Sequence, residues 1–181
     1  MAVFAWPEVC VVGRGDILYA ACGRNSDVDV DMVELLLRWA RPRPDLIRDF
    51  LDAATVVKSA KKYSMTVLMA TCVRNQVEIV KRLLAAGADA DAVRDIREDF
   101  PCSPLYAAVV SGHADVVQAL LAADSPAHVM PAGSSVQLGA KTVPHPSDVS
   151  RLAFHIDRAL AKGAMQAPVA ARMRSLLQLL K

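Results

Sequence analysis

Apolar side chains recur along this chain in short, phased sets rather than in long blocks. Val116, Val117, Leu120 and Leu121 fall at i, i+1, i+4 and i+5, which lays one continuous stripe along a helix of about three turns. A second helix is expected just ahead of it, between Ser103-Pro104 and Gly112. Ser103 can accept a hydrogen bond from an unpaired first-turn amide, Pro104 has a φ suited to the first helical position, and Gly112 stops the helix. The predicted unit is a helix, a tight turn and a helix.

The same pattern lies upstream, residue for residue. Thr66 takes the place of Ser103, Asn75 that of Gly112, and Ile79, Val80, Leu83 and Leu84 repeat the stripe, with 37 residues between Leu68 and Leu105. Gly87 follows where a helix wants a left-handed cap. A third copy opens at Asp16, runs through Leu18 and Cys22, and continues, after an expected widened turn over 26–31, in Met32, Val33, Leu35, Leu36 and Leu37. Cys22, Cys72 and Val109 share one slot. A thiol that alternates with Val at a stacked position reads as a small buried hydrophobe rather than as a metal or redox group.

The stretches between copies differ. Arg41-Pro42-Arg43-Pro44 ends one helix, and Asp45 is expected to cap another, carrying Leu46, Ile47, Phe50, Leu51 and Ala54 on one face. Thr55-Val56-Val57 looks strand-like. Beyond Asp124 the pattern fails for two dozen residues, where Pro126, Pro131, Gly133, Gly139, Pro144 and Pro146 mark a long loop. Helical phasing returns after Ser147, the expected cap, in Val149, Leu152, Ala153, Ile156 and Leu160. It returns again from Val169 to Leu180 in Met173, Leu176 and Leu177.

Ser103-Pro104-Leu105-Tyr106-Ala107-Ala108, Gly112-His113, and Leu83-Leu84-Ala85-Ala86-Gly87-Ala88-Asp89 together resemble ankyrin repeats, whose unit is ~33 residues with a T-P-L-H-x-A start. The chain departs from that unit in three ways. About four extra residues lie between Asp91 and Ser103, Tyr or Met replaces the His of the start, and only the copy at 103 has the Pro. The resemblance implies an all-α, ankyrin-like solenoid of stacked helix-turn-helix repeats with long irregular connections. Repeats are expected over 13–40, 64–92 and 101–126, with a divergent C-terminal helical pair over 147–181, all in a single domain spanning 1–181. It implies a turn-bonding role for His113. It also implies that connections project as fingers whose tips, with neighbouring inner-helix positions, bind protein. By register these are Arg97, Asp99, Phe100 and Cys102 with Val110 and Ser111, and Lys62, Tyr63, Met65, Val73 and Arg74 one repeat earlier; Ile96 lies on the same finger. Ile96, Phe100, Met65, Val73 and Val110 are apolar where a solvated surface would be polar. The alternative is that Ile96 and Phe100 tuck under the lengthened loop.

Composition adds boundaries. Of 181 residues, 54% are hydrophobic but only 5% aromatic, a mixture suited to helices that approach closely over Ala, Val and Leu. A mean hydropathy of +0.27 fits either a face covered by a partner or simple Ala richness. With 21 basic and 19 acidic residues, overall charge makes no case for nucleic acid. Locally, Arg38, Arg41, Arg43 and Arg48, then Lys58, Lys61 and Lys62, gather about Trp39 and Tyr63. That connection could grip RNA, although Asp45, Asp49 and Asp52 among them suit an ordinary solvated helix face.

Chemistry is sparse. Cys10, Cys22, Cys72 and Cys102 have no CxxC spacing, so a reducing compartment, cytoplasmic or nuclear, is expected. His113, His128, His145 and His155 lack clustered partners, His145 is expected to be exposed, and neither a zinc site nor a nucleophile triad is indicated. Gly13-x-Gly15 lacks a third glycine, and Arg14-Gly15-Asp16 is read as chance with Asp16 as a cap. No apolar run reaches the ~18 residues of a spanning helix. The reading is a non-catalytic interaction or scaffold module without cofactor or metal, a subunit of a larger assembly whose partner is another protein, with an RNA-associated structural role as the alternative.

Overall fold

A computed structural model describes residues 18, 20–22, 27–52, 55–58, 62–97, 100–123 and 127–178. Its elements are α1 (Asp27–Ala40), α2 (Pro44–Asp52), β1 (Thr55–Lys58), β2 (Lys62–Met65), α3 (Val67–Val73), α4 (Val77–Ala85), β3 (Arg94–Arg97) and β4 (Phe100–Cys102). They continue with α5 (Pro104–Ser111), α6 (Ala114–Leu121), β5 (Ser135–Leu138), β6 (Lys141–Pro144), α7 (Val149–Ala161) and α8 (Ala167–Gln178). The helices form two layers. In the inner one α3 packs on α5 and α5 on α7; in the outer one α1 packs on α4, α4 on α6 and α6 on α8. Among the described residues, strands occur as three antiparallel hairpins, β1-β2, β3-β4 and β5-β6, so the fold is a helical solenoid.

Local chemistry sets the helix ends. Ser103 Oγ accepts the amide of Tyr106 at 3.1 Å, and Thr66 Oγ1 accepts that of Met69 at 3.2 Å, each one helix turn from its cap. Gly112 (φ 80°) and Asn75 (φ 60°) reverse the chain in the left-handed region, which Asn tolerates better than most side chains do. The next amide then reaches back to a carbonyl of the last turn: His113 to Ala108 at 3.1 Å, Gln76 to Thr71 at 3.1 Å. Gly87 (φ 92°) ends α4 in the same way, with the Ala88 amide on Leu83.

The stripes read from the sequence meet in one core. Leu68, Cys72, Ile79, Val80 and Leu83 of one unit, Leu105, Ala108, Val109, Val116, Val117 and Leu120 of the next, and Leu152, Ile156, Met173 and Leu177 of the last are all buried. Each such aliphatic chain contributes about 1.5–3 kcal/mol. Polar ties cross between units as well. His113 Nε2 lies 3.0 Å from the Val73 carbonyl, Arg74 and Gln76 both donate to the Cys22 carbonyl, and the hydroxyls of Ser103 and Ser147 meet at 2.8 Å.

Several expectations are corrected. The expected widened turn over 26–31 is helix from Asp27 on, because Asp27, Asp29 and Asp31 suit the positive end of a helix. Pro44, rather than a cap at Asp45, opens α2; the Arg43 carbonyl accepts the Ile47 amide, and Asp45 stands in the first turn. Asp148, not Ser147, caps α7, accepting the amides of Ser150 and Arg151, while Ser147 is spent on Ser103. The long loop after Asp124 contains the β5-β6 hairpin, with Gly139 (φ 61°) in its turn. Cys10, the tripeptide Arg14-Gly15-Asp16, Lys61, Asp99 and Leu180 lie outside the described residues.

Ser103 performs two tasks, capping α5 and pairing with Ser147 in a dry site. Ser103→Ala should therefore lower the unfolding free energy by about 1–3 kcal/mol in urea titration, and Ser147→Ala by less, since the cap survives.

Candidate protein-binding surface

Two hairpins carry the residues expected on the fingers, and one helix face lies beside them. In the first hairpin Tyr63 pairs with Val57 and Lys62 with Lys58. In the second, Phe100 pairs with Arg97 after a register shift between Asp95 and Arg97, an irregularity that kinks a finger and ends regular pairing. Strand β2 packs beside β3, so Lys62 and Tyr63 of one finger and Ile96 and Arg97 of the next share a neighbourhood.

Position-by-position stacking generates the helix face. The hydroxyls of Ser103 and Ser147 touch where the starts of α5 and α7 meet, and Phe154 lies on α7, which packs against α5. The 37-residue offset of the preceding unit carries Val73 to Val110. Val73 and Val110 therefore hold equivalent positions in successive inner helices, and Phe154 lies on the third. Val110 is 44% exposed and Phe154 58%, while Val73 is half-buried. Ser111, also half-buried, follows Val110 at the helix end.

Other predicted residues have different roles. Met65 is only 5% exposed and packs with Met69, Ala92 and Val73; it supports the surface from beneath instead of presenting itself, because the hairpin base folds onto α3. Cys102, at the base of the second finger, is buried too. Arg74 is half-buried with a guanidinium nitrogen 2.9 Å from the Cys22 carbonyl, so it fastens the first unit to the second.

The basic connection is divided among several surroundings. Arg38 and Arg41 flank a cleft whose walls include Glu34, Ile47 and Arg82, and Arg48 is exposed on α2. Arg43 lies 4.7 Å over the Trp39 ring and donates to the Trp39 carbonyl, and Trp39 in turn stacks near Phe50. Lys58 and Lys62 face each other across the first hairpin as a strand pair. Met32, Leu35 and Trp39 form a further exposed apolar row on α1, although Met32 and Leu35 were expected in the core stripe.

Phe154 was legible only as one residue of an amphipathic helix; the signal that finds it is its exposure opposite the buried Leu152 and Ile156. Around it, His155 meets its ring edge-on at 5.5 Å and bonds the Tyr106 hydroxyl at 3.0 Å, with Arg151 over the Tyr106 ring. Burial pushes the Tyr106 hydroxyl up. It pushes His155 down, and Arg151 and Arg158 add to that.

The remaining titratable groups are structural in their surroundings. His145, expected exposed, is 7% exposed, because its Nδ1 accepts the Ser147 amide and its own amide bonds Ser134. Burial pushes the thiols of Cys22 and Cys102 up to about 12 and raises Cys72 as well, the state of an inert thiol. Among the described residues no group of three or more His, Cys, Asp or Glu could hold a metal ion, and no helix is long and apolar enough to cross a membrane.

A family model described as ankyrin repeats, in three copies, matches residues 17–130. No curated protein matches the chain.

Burial also depresses His113 and His145 below the ordinary 6.5. The unfolded chain thus binds these protons, and that of His155, more readily than the folded one. Stability is full above the unfolded value and falls as pH drops through it. His128, raised by its hydrogen bond to Asp91, acts in the opposite sense, but that pair is exposed and weak. The melting temperature should accordingly be lower at about pH 5.5 than at about pH 7.5, and ring-proton titration should place His128 above the other three.

Proposed function

The chain belongs to the ankyrin-repeat family, whose repeats are protein-protein interaction modules, and we propose that it is a non-catalytic module that binds one partner protein as a scaffold or subunit of a larger assembly. The binding surface comprises the inner-helix positions Val73, Val110 and Ser111, extended by Phe154, together with finger residues Lys62, Tyr63, Ile96, Arg97, Asp99 and Phe100. Met65 and Arg74 hold that surface in place. The single observation that carries this reading is the apolar column on three successive inner helices, half-buried at Val73 and exposed at Val110 and Phe154. Core packing accounts for the buried sides of these helices and for part of Val73, but not for Val110 and Phe154. A desolvated aromatic among aliphatic neighbours is the kind of residue that dominates binding energy.

Residues 1–181 act as one such unit in this reading. Buried free thiols at Cys22, Cys72 and Cys102 support a reducing setting, cytoplasmic or nuclear.

The partner is to be found by affinity purification with the full chain, then purified and measured by calorimetry. Val110→Asp with Phe154→Asp should weaken its binding at least about tenfold, and Tyr63→Asp with Phe100→Asp should do likewise. Melting temperature should stay unchanged in the first pair, because both side chains project from the packed core. Undiminished binding by both pairs would overturn the assignment.

A further inference from the structure

The exposed face of α7 carries a charge pattern that speaks to the chemistry of its occupant. Arg151, His155, Arg158 and Lys162 follow one another at i, i+4, i+7 and i+11, along one side of the helix and beside Phe154. Arg158 and Lys162 are exposed.

The carboxylates of this part of the chain are directed elsewhere. Asp148 is buried and accepts the amides of Ser150, Arg151 and Ser134. Asp115 pairs with Arg172 of α8 at 2.7 Å, and Asp157 pairs with Arg174 of the same helix. The inner helices α3 and α5 contain no charged residue, and the third hairpin brings Lys141 and no acid. Among the described residues, the apolar column therefore ends beside the basic side chains of Arg151, Arg158 and Lys162.

We propose that the end of the surface around Phe154 takes an acidic segment of a partner protein that carries one large apolar anchor. The anchor packs against Val110 and Phe154, while carboxylates flanking it reach Arg158 and Lys162. Charge complementarity of this kind steers encounter and sets orientation. A nucleic acid would also meet cations here, but the column offers one exposed aromatic ring beside two aliphatic side chains, a poor platform for stacked bases and a good one for an aliphatic or aromatic anchor. The inference rests on the reading that this face binds protein, and it names the chemistry of what is bound.

The test is a random peptide library displayed on phage and panned against the full chain, followed by fluorescence anisotropy with synthetic versions of the enriched peptides. The expected winners carry several Asp or Glu around one large apolar residue. Their affinity falls at least about tenfold in R158E/K162E and in F154D, falls less in R158Q/K162Q, and weakens severalfold between low and high salt as exposed charges are screened. Melting temperatures confirm that each variant is folded. Enrichment of neutral or basic peptides that are lost in F154D would overturn the acidic assignment and leave the protein-binding reading standing. Equal binding by R158E/K162E, or a labelled oligouridine bound more tightly than any peptide, would overturn it as well. No enriched peptide, together with a purified partner that ignores V110D/F154D, would sink both readings.

Discussion

Helices of seven to nine residues, such as α3, α4, α5 and α6, are too short to persist alone in water. Each carries one apolar stripe, and a single pair cannot hide both stripes. The only way to remove them from solvent is to lay another pair alongside, so stability is shared between neighbours. Every other feature of the molecule answers to that constraint. The turns at Asn75 and Gly112 must have one shape so that successive pairs superimpose, and Cys72 must be interchangeable in volume with Val109 because both meet the next unit at the same point.

Hydrophobic stacking alone is permissive about register, since one aliphatic side chain packs much like another. The polar ties are directional and remove that freedom. His113 reaches back to the Val73 carbonyl, Arg74 and Gln76 reach back to the Cys22 carbonyl, and Ser103 meets Ser147. Each uses a group at the end of an inner helix, where a carbonyl or a cap is available. A slip by one residue would leave a buried polar group without its partner, at a cost comparable to a large part of one unit's packing. The ties thus convert a generic apolar stack into one with a fixed offset, and a fixed offset aligns exposed positions as strictly as buried ones.

How much of this was legible follows from which signals are local. Caps and turns are written in one or two residues, so Thr66, Asn75, Ser103 and Gly112 announced α3 and α5 directly. The buried stripe is periodic, so Ile79, Val80, Val116 and Val117 announced themselves too. The third hairpin was hidden because its strands are four residues long and sit among prolines and glycines that also suit an irregular loop. The burial of His145 was hidden because one of its partners, Ser134, is brought to it by that hairpin. Phe154 could be placed only by knowing which side of α7 packs inward, and that side is shown by the burial of Leu152 and Ile156. Met65 was misjudged for a related reason: an apolar residue at a strand end reads equally as an exposed finger or as its buried root, and only packing against Met69 and Ala92 decides.

The terminal unit shows how a stack can separate its charges without a net excess. α8 packs on α6 and α7, and its Arg172 and Arg174 draw the carboxylates of Asp115 and Asp157 toward that side. As exposed pairs these contribute little to stability. Their larger effect is on the electrostatic field. Asp157 lies one residue from Arg158 in sequence, yet the helical turn puts them on different sides, and pairing with Arg174 neutralises the acid that would otherwise offset the α7 cations. Asp148 is withdrawn in a different way, by burial at the helix cap. A chain with nearly balanced charge thereby acquires a helix face that is basic beside Phe154, because the packing that closes the solenoid also sorts its acids from its bases.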